Sequence, residues 1–176
     1  MALPSTRLPL EQAALGLLMT GARHGYELHK AFVEQFGDTW HAGRSQFYAA
    51  LKALEAEGLA HTEIVPQEGR PPRKVLAITP AGRQAFLAWL RTPVPHVRDV
   101  RVEFLARLRL FRCLALDGVD QLIDAQIGVC RERLRRIEAG VEDLPQDLFS
   151  ELVDDFRRRQ IEAVIAWLEE CRRRMA

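Results

Sequence analysis

The sequence predicts a mainly α-helical protein with one small β-hairpin, divided into two parts. Residues 43–90 change from helical periodicity to two short β-rich runs and back to helical periodicity. Residues 92–95 place two prolines in four positions, which neither a helix nor a strand ladder accommodates. Residues 100–176 return to helical spacing. The predicted fold is therefore a winged helix-turn-helix (α+β) domain over residues 1–92, a linker over 93–99 and an antiparallel helical dimerisation domain over 100–176.

Two helices are predicted before residue 43. Residues 10–20 are apolar on most sides, as expected of a buried first helix, and Gly21 ends it. Residues 24–36 carry Tyr26, Phe32 and Phe36 at helical intervals. The following segment, residues 37–43, connects to a third helix, and Trp40 is interpreted as a core residue in that connection.

The third helix has one apolar face and one face of small or hydrogen-bonding residues. Phe47, Leu51 and Leu54 recur at i, i+4 and i+7, and Gly58 is a natural stop. A helix with such a polar face can approach a nucleic-acid groove closely, and the positive end of its dipole favours an anion at its start. The opposite face carries Ser45, Gln46, Ala49, Lys52 and Ala53.

A basic hairpin and a capped helix follow. Residues 59–65 and 74–78 are rich in alternating and β-branched residues, and residues 66–73 between them combine turn chemistry with two arginines. Thr79 and Pro80 have the form of a helix N-cap followed by proline at the first helical position. The alternative interpretation is an ordinary αββα segment with a solvated turn.

These features lead to the hypothesis that the third helix reads DNA and the hairpin grips the backbone beside it. Glutamine can pair bidentately with adenine, so Gln46 is the best candidate for base recognition. Arg44 and Lys52 are expected on phosphate, where contacts position the protein without specifying sequence. Tyr26 is explained equally well by a phosphate contact or by core packing. The complete set of predicted DNA contacts is Tyr26, Arg44, Ser45, Gln46, Tyr48, Lys52, Arg70, Arg73 and Lys74.

Composition and charge limit the other kinds of protein that this sequence could encode. The formal charge of +1 is nearly neutral, so DNA binding has to come from the local placement of cations. Three widely spaced cysteines predict neither a metal site nor a disulfide framework. The chain shows no pattern of a signal peptide and no apolar run long enough for a bilayer, so a cytoplasmic location is expected.

The region after residue 100 carries the most regular apolar pattern in the chain. Its seam advances by alternating steps of four and three from Ile123 through Cys130 to Val141, as in a coiled coil. A second stripe runs through residues 149–175. An intramolecular hairpin uses one face of these helices, and the remainder predicts a homodimer. The residues assigned to dimerisation are Phe111, Ile123, Ile127, Leu134, Ile161 and Leu168.

No enzymatic motif is present in the sequence. The five histidines show no metalloprotease spacing, the glycines form no phosphate-binding loop, and no nucleophile elbow occurs. The prediction is therefore a non-enzymatic protein without cofactor or metal, although catalytic sites assembled only in space leave no such trace.

Four motifs, in order, resemble the PadR family of transcriptional regulators. They are GYEL at 25–28, FYAALKALEAEGL at 47–59, GRPPRK at 69–74 and LAITPAG at 76–82. The sequence departs from the family pattern at Ser45, where glycine is usual, at Ala49, where proline is usual, and near Leu76, where an aromatic residue is usual. The resemblance implies a winged helix-turn-helix protein, in most members a dimeric repressor and in many one released from DNA by a small molecule.

The resemblance also implies an aromatic or otherwise hydrophobic effector. A pocket for it is expected where the helix after the hairpin meets the C-terminal helices, near Trp89, His96 and Phe104, although interdomain packing explains these residues as well. The resulting hypothesis is a sequence-specific, homodimeric repressor that reads near-palindromic double-stranded DNA. Two alternatives stay open: a protein-interaction adaptor that uses the winged fold, and a MarR-like regulator.

Overall fold

The structure is a computed structural model that describes residues 9–67, 70–140 and 147–175. Two compact units divide the chain. The winged unit comprises the residues up to 90 together with 105–116, and the hairpin unit comprises residues 91–104 and those from 117 onward. The elements are α1 (Leu10–Leu18), α2 (Gly25–Phe36), α3 (Arg44–Ala56), β1 (Ala60–Gln67), β2 (Arg70–Ile78), α4 (Pro80–Arg91), α5 (Val97–Asp99), a π-helical turn (Val100–Phe104), α6 (Leu105–Cys113), α7 (Val119–Glu138) and α8 (Leu148–Met175).

Aromatic side chains from α2, α3 and the loop between them form the core of the winged unit. The ring of Phe32 lies 5.1 Å from that of Phe47, and the ring of Phe36 lies 4.8 Å from that of Trp40. All four side chains are buried, which confirms the predicted core position of Trp40. Because α2 and α3 share this cluster, their mutual orientation is fixed by packing rather than by the loop alone.

The wing is an antiparallel pair of strands, with Ala60 opposite Ile78 and Ile64 opposite Lys74. The chain before α2 adds a short third partner, because the backbone groups of Arg23 and Leu76 exchange hydrogen bonds of 2.9 and 2.8 Å. This bridge connects β2 directly to the entrance of α2. The wing is therefore fastened at its base to the helix-turn-helix.

The junctions around the wing follow the predicted local chemistry. Gly58 adopts the left-handed conformation (φ +69°) after α3, and the N–H of Leu59 bonds to the carbonyl of Leu54 at 2.8 Å. The Thr79 hydroxyl accepts a hydrogen bond from the Gly82 N–H at 3.0 Å, which confirms the predicted N-cap of α4. A Cβ at Gly82 would lie 1.9 Å from the Leu59 carbonyl oxygen, so only glycine allows this close approach.

The hairpin unit is built on the antiparallel pair α7 and α8. Apolar side chains from both helices are buried along their contact, among them Ile127, Cys130, Ile161 and Leu168. Ion pairs join the two helices at their edges, with Arg172 2.8 Å from Asp124 and Arg131 3.0 Å from Glu169. These pairs are largely exposed and contribute little to stability compared with the buried seam.

The proline-rich linker is held firmly by the hairpin unit. Val94 is fully buried, and its N–H donates to the Gln126 Oε1 at 2.7 Å while its carbonyl accepts from the Gln126 Nε2 at 3.0 Å. The side chain of Gln126 is itself fully buried. The amide thus satisfies both backbone groups of a residue whose proline neighbours prevent regular secondary structure.

The predicted fold class is confirmed: the chain is mainly helical, with a winged helix-turn-helix followed by an antiparallel helical hairpin. Residues 100–104 form a π-helical turn that is followed by α6, and α6 belongs to the winged unit although it lies within the range predicted as the dimerisation domain. The seam residue Val141 lies outside the described residues. Within the described ranges, no helix combines the length and apolar character needed to cross a lipid bilayer.

Candidate nucleic-acid interface

Helix α3 exposes the face that was predicted to read DNA. Its inward residues, Phe47, Leu51 and Leu54, are buried in the winged unit. Its first turn carries no acidic residue, so the positive end of the helix dipole is left uncompensated there. The exposed side chains on its outward face include those of Arg44, Ser45, Gln46, Tyr48 and Lys52.

Gln46 has a structural role in addition to its predicted role in recognition. Its Oε1 accepts a hydrogen bond from the Gly43 N–H at 3.1 Å, which closes the start of α3 in the manner of a capping box. A bidentate contact with adenine requires both the oxygen and the nitrogen of the amide. To make that contact, Gln46 has to share this oxygen between Gly43 and the base or to release Gly43. The spacing of Gly43 and Gln46 was the available signal for this cap.

Two tyrosines and an arginine join the start of α2 to α3. The guanidinium carbon of Arg44 lies 5.7 Å from the centre of the Tyr26 ring, within range of a cation–π interaction. Tyr26 is half exposed, so its hydroxyl remains accessible. A Cβ at Gly25 would lie 3.0 Å from the Tyr48 ring, so glycine makes room for that ring at the helix start. The structure thus brings three predicted DNA contacts to one surface.

The start of α2 is also the docking point of the wing. The His24 Nδ1 accepts a hydrogen bond from the Tyr26 N–H at 3.1 Å, and the Glu27 carboxylate accepts one from the His24 N–H at 3.2 Å. Glu27 also forms an ion pair with Arg73 of β2, and this hydrogen bond lowers the pKa of the Glu27 carboxyl below its ordinary value. Arg73, predicted as a DNA contact, is therefore partly neutralised. Lys74 is exposed.

The side chain of Arg70 lies outside the described part of the structure. Together with Arg73 and Lys74, it was predicted to contact the DNA backbone or minor groove from the wing.

The three predicted effector residues fall in different units. In the winged unit, Trp89 contacts Arg107, whose Nε donates to the Trp89 carbonyl at 3.0 Å and whose guanidinium carbon lies 4.5 Å from the indole centre. In the hairpin unit, Phe104 is buried against Trp167 at a ring separation of 6.3 Å. His96, also in the hairpin unit, is exposed.

The residues predicted for dimerisation serve the core of a single chain. Phe111 is buried in the winged unit, and Leu134 is half-buried in the hairpin unit. Among the described residues of the hairpin unit, the exposed large apolar side chains lie at the start of α8. The buried members of the predicted set in the hairpin unit are Ile123, Ile127, Ile161 and Leu168, and the exposed side chains at the start of α8 are those of Leu148, Phe149, Leu152 and Phe156.

Comparison with known proteins decides the family. Residues 14–88 match the model of the transcriptional regulator PadR-like family, and residues 100–176 match the model described as virulence activator alpha C-term. The negative transcriptional regulator PadR of Bacillus subtilis is 30% identical over 135 residues, which cover 77% of this chain and 74% of that protein. The chain belongs to the PadR-like family. It is a DNA-binding transcriptional regulator, and this membership supports the non-enzymatic interpretation over catalysis and the PadR assignment over a MarR-like one.

Solved structures of PadR-like proteins also resemble the chain. B. subtilis PadR in complex with operator DNA is 25% identical, with a TM-score of 0.47 over 96% of this chain and 99% of that one. B. subtilis PadR in complex with p-coumaric acid is 25% identical, with a TM-score of 0.44 over 92% and 95% of the two chains.

Proposed function

We propose that this PadR-like regulator is a cytoplasmic homodimeric repressor that binds a near-palindromic operator and responds to a small-molecule effector. The observation that carries the DNA-binding part is the exposed polar face of α3, which begins at Arg44, with Tyr26 beside it at the start of α2. Two copies of such a helix would reach major grooves about one helical turn apart.

The proposed roles of the interface residues follow from their contacts. Arg44 and Lys52 take phosphate oxygens on the two sides of the groove, and Tyr26 donates its hydroxyl to a third phosphate. Ser45, Gln46 and Tyr48 face the base edges, with Gln46 exchanging its bond to Gly43 for adenine. On the wing, Arg70 and Lys74 contact the backbone. Arg73 contributes less, because the Glu27 carboxylate already holds it.

A second copy of the chain is the proposed partner of the start of α8. Leu148, Phe149, Leu152 and Phe156 are each between 59% and 74% exposed, which is unusual for four large apolar side chains within nine residues. A two-fold contact would bury both copies of the stripe at once. Phe156→Ser should shift sedimentation velocity toward the monomer. A wild-type chain that sediments as a monomer would contradict this part of the proposal.

The effector is proposed to be a small aromatic or hydrophobic molecule. Family membership supports it, and B. subtilis PadR has been crystallised with p-coumaric acid. A ligand that prefers one arrangement of the dimer would draw it away from the arrangement that fits the operator. The magnitude of such a shift is limited by the difference in ligand affinity between the two arrangements.

The test is a fluorescence-anisotropy titration with the DNA upstream of the chain's own coding region, at two salt concentrations and with excess competitor. Gln46→Ala should relax sequence preference, whereas Lys52→Ala should weaken binding to every sequence and flatten the salt slope by about one. Arg112→Ala, which removes an exposed arginine from α6, is the charge-matched control.

Equal effects of Gln46→Ala and Lys52→Ala would overturn the separation of base reading from phosphate binding. Absence of any salt-dependent DNA binding, together with a stable protein partner, would favour the adaptor alternative.

A further inference from the structure

The hairpin unit contains a pocket of about 750 Å³ that no step of the proposed DNA recognition uses. One wall is formed by residues 95–98, and the others by the second half of α7 and the middle of α8. The volume lies in the range of small-molecule sites. His96, predicted as an effector residue, lines this pocket, whereas Trp89 and Phe104 do not.

The pocket is strongly biased toward positive charge. Four arginines from three segments of the chain line it, and Glu132 is the single carboxylate among its lining residues. Glu132 is itself held by Arg135, which lies outside the lining, at 2.5 Å. Acidic neighbours outside the pocket also approach two of the arginines, Asp154 at 3.5 Å and Asp99 at 3.7 Å. The four arginines are Arg98, Arg133, Arg136 and Arg157.

The remaining walls are largely apolar. Val97 and Val129 are half-buried, and Ile161 is buried at the base of the α7–α8 contact. Guanidinium groups bind carboxylate and phosphate oxygens through parallel hydrogen bonds, while the apolar side chains offer contact to a hydrocarbon body. The combination suits an anion with an apolar or aromatic framework better than an inorganic ion.

A glycine keeps the α7 wall open. Gly128 lies in the interior of α7, where glycine is the least favourable residue apart from proline. It has an ordinary backbone conformation, and a Cβ placed there would meet no atom within 4 Å. Neither backbone strain nor close packing therefore requires glycine at this position. Its effect is to leave space in the pocket.

We propose that this pocket binds a small organic anion, with a carboxylate or phosphate head and an apolar or aromatic body, and that it is the effector site of the repressor. The effector role rests on the proposed function, whereas anion binding does not. Residues 95–98 directly follow the segment that Gln126 anchors at Val94, so a bound anion would connect this segment to α7 and α8 through its arginines.

Isothermal titration calorimetry of the full chain without DNA tests the binding. The probes are 2-naphthoate, 2-naphthyl phosphate and the uncharged 2-naphthamide. At least one of the two anions should bind, and the amide should bind at least about tenfold more weakly, since it lacks the charge that the arginines recognise. The stronger anion identifies the head group. Failure of both anions to bind, or equal binding of the amide, would overturn the proposal.

Variants localise the site. Arg157→Ala should weaken anion binding about tenfold, whereas Arg173→Ala, on the same helix and in an equivalent i,i+3 ion pair with Glu170, should leave it unchanged. Gly128→Phe should abolish binding by filling the pocket, with far-UV circular dichroism to show that the fold is retained. Unchanged binding to a folded Gly128→Phe variant, or equal losses in the two arginine variants, would refute this location.

Operator titrations with and without the stronger anion separate the two proposals. If the anion binds the pocket but leaves operator affinity unchanged, the effector role fails while the binding site stands. If the chain binds no DNA, the proposed repressor function fails, and calorimetry still decides the binding site.

Discussion

Replacing Gln126 with methionine should destabilise the hairpin unit strongly, although it keeps the side chain at a similar size. In the wild type, the amide makes hydrogen bonds of 2.7 and 3.0 Å to the N–H and carbonyl of Val94, and both residues are fully buried. Methionine satisfies neither group. Each of the two buried backbone groups left without a partner costs about 1–3 kcal/mol, so the expected loss in the free energy of unfolding is about 2–6 kcal/mol.

Urea unfolding followed by far-UV circular dichroism measures this loss. Gln121→Met is the matched control, because Gln121 lies on the same helix and is exposed. It should change the free energy of unfolding by less than about 0.5 kcal/mol. If the two substitutions had equal effects, water would be replacing the amide at Val94, and the anchoring role assigned to Gln126 would be wrong.

Gln126→Glu provides a second, pH-dependent readout of the same contact. A carboxylate can accept from the Val94 N–H but cannot donate to its carbonyl, and burial further disfavours the ionised form. The pKa of the new carboxyl is therefore raised in the folded state. Both hydrogen bonds to Val94 are present at low pH, and the bond donated to the Val94 carbonyl is lost as the pH rises through that pKa. The variant should be least stable relative to wild type near neutral pH, and a pH-independent difference would contradict the explanation.

Two further predictions concern the winged unit. Gly82→Ala should destabilise the chain by several kcal/mol on thermal or urea unfolding, because its methyl group would lie 1.9 Å from the Leu59 carbonyl oxygen. Gly43→Ala is the control: it has open space around it and should cost about 1 kcal/mol or less. The ion pair of Glu27 with Arg73 should stabilise the wing above about pH 4.5, the ordinary pKa of a glutamate, and lose its effect as the pH falls through the lowered pKa of Glu27. The difference in unfolding free energy between wild type and Glu27→Gln should therefore shrink on acidification, and a constant difference would show that the pair contributes nothing.

Features set by a few neighbouring residues were predictable from the sequence. The N-cap at Thr79, the start of α4 at Pro80 and the stop at Gly58 all depend on local backbone chemistry, and the structure confirms them. The apolar face of α3 was likewise predictable, because the 3.6-residue period of its apolar residues indicates which side must be buried. These features together were sufficient for the winged fold and for the exposed face proposed to meet DNA.

Polar contacts between distant residues were not predictable. Gln126 and Val94 are 32 positions apart, and nothing in the sequence distinguishes Gln126 from an exposed glutamine such as Gln121. The pocket was not predictable for the same reason. Its arginines come from three separate segments, and each alone has the pattern of a solvated helix position.

The apolar seam of the C-terminal helices shows a different limit. Periodicity states that a face must be covered, but it does not state which chain covers it. The seam through Ile123 and Ile127 is covered within the chain, whereas Phe149 and Phe156, whose spacing of seven fits the same pattern, remain exposed. Only the structure shows which of the two sets is covered within the chain.

Two predicted DNA contacts also make structural contacts in the free protein, and this affects how their variants are interpreted. Arg73 secures the wing to Glu27, and Gln46 caps α3 at Gly43. A phosphate that approaches Arg73 must compete with a carboxylate already paired to it, so the net gain is smaller than for a solvated cation. Lys52 is exposed on α3 and forms no ion pair within the part of the chain that the structure describes, so Lys52→Ala should change the salt slope more than Arg73→Ala. A larger change for Arg73→Ala than for Lys52→Ala would mean that DNA displaces the Glu27 pair, and that the wing rather than α3 dominates the electrostatic contact.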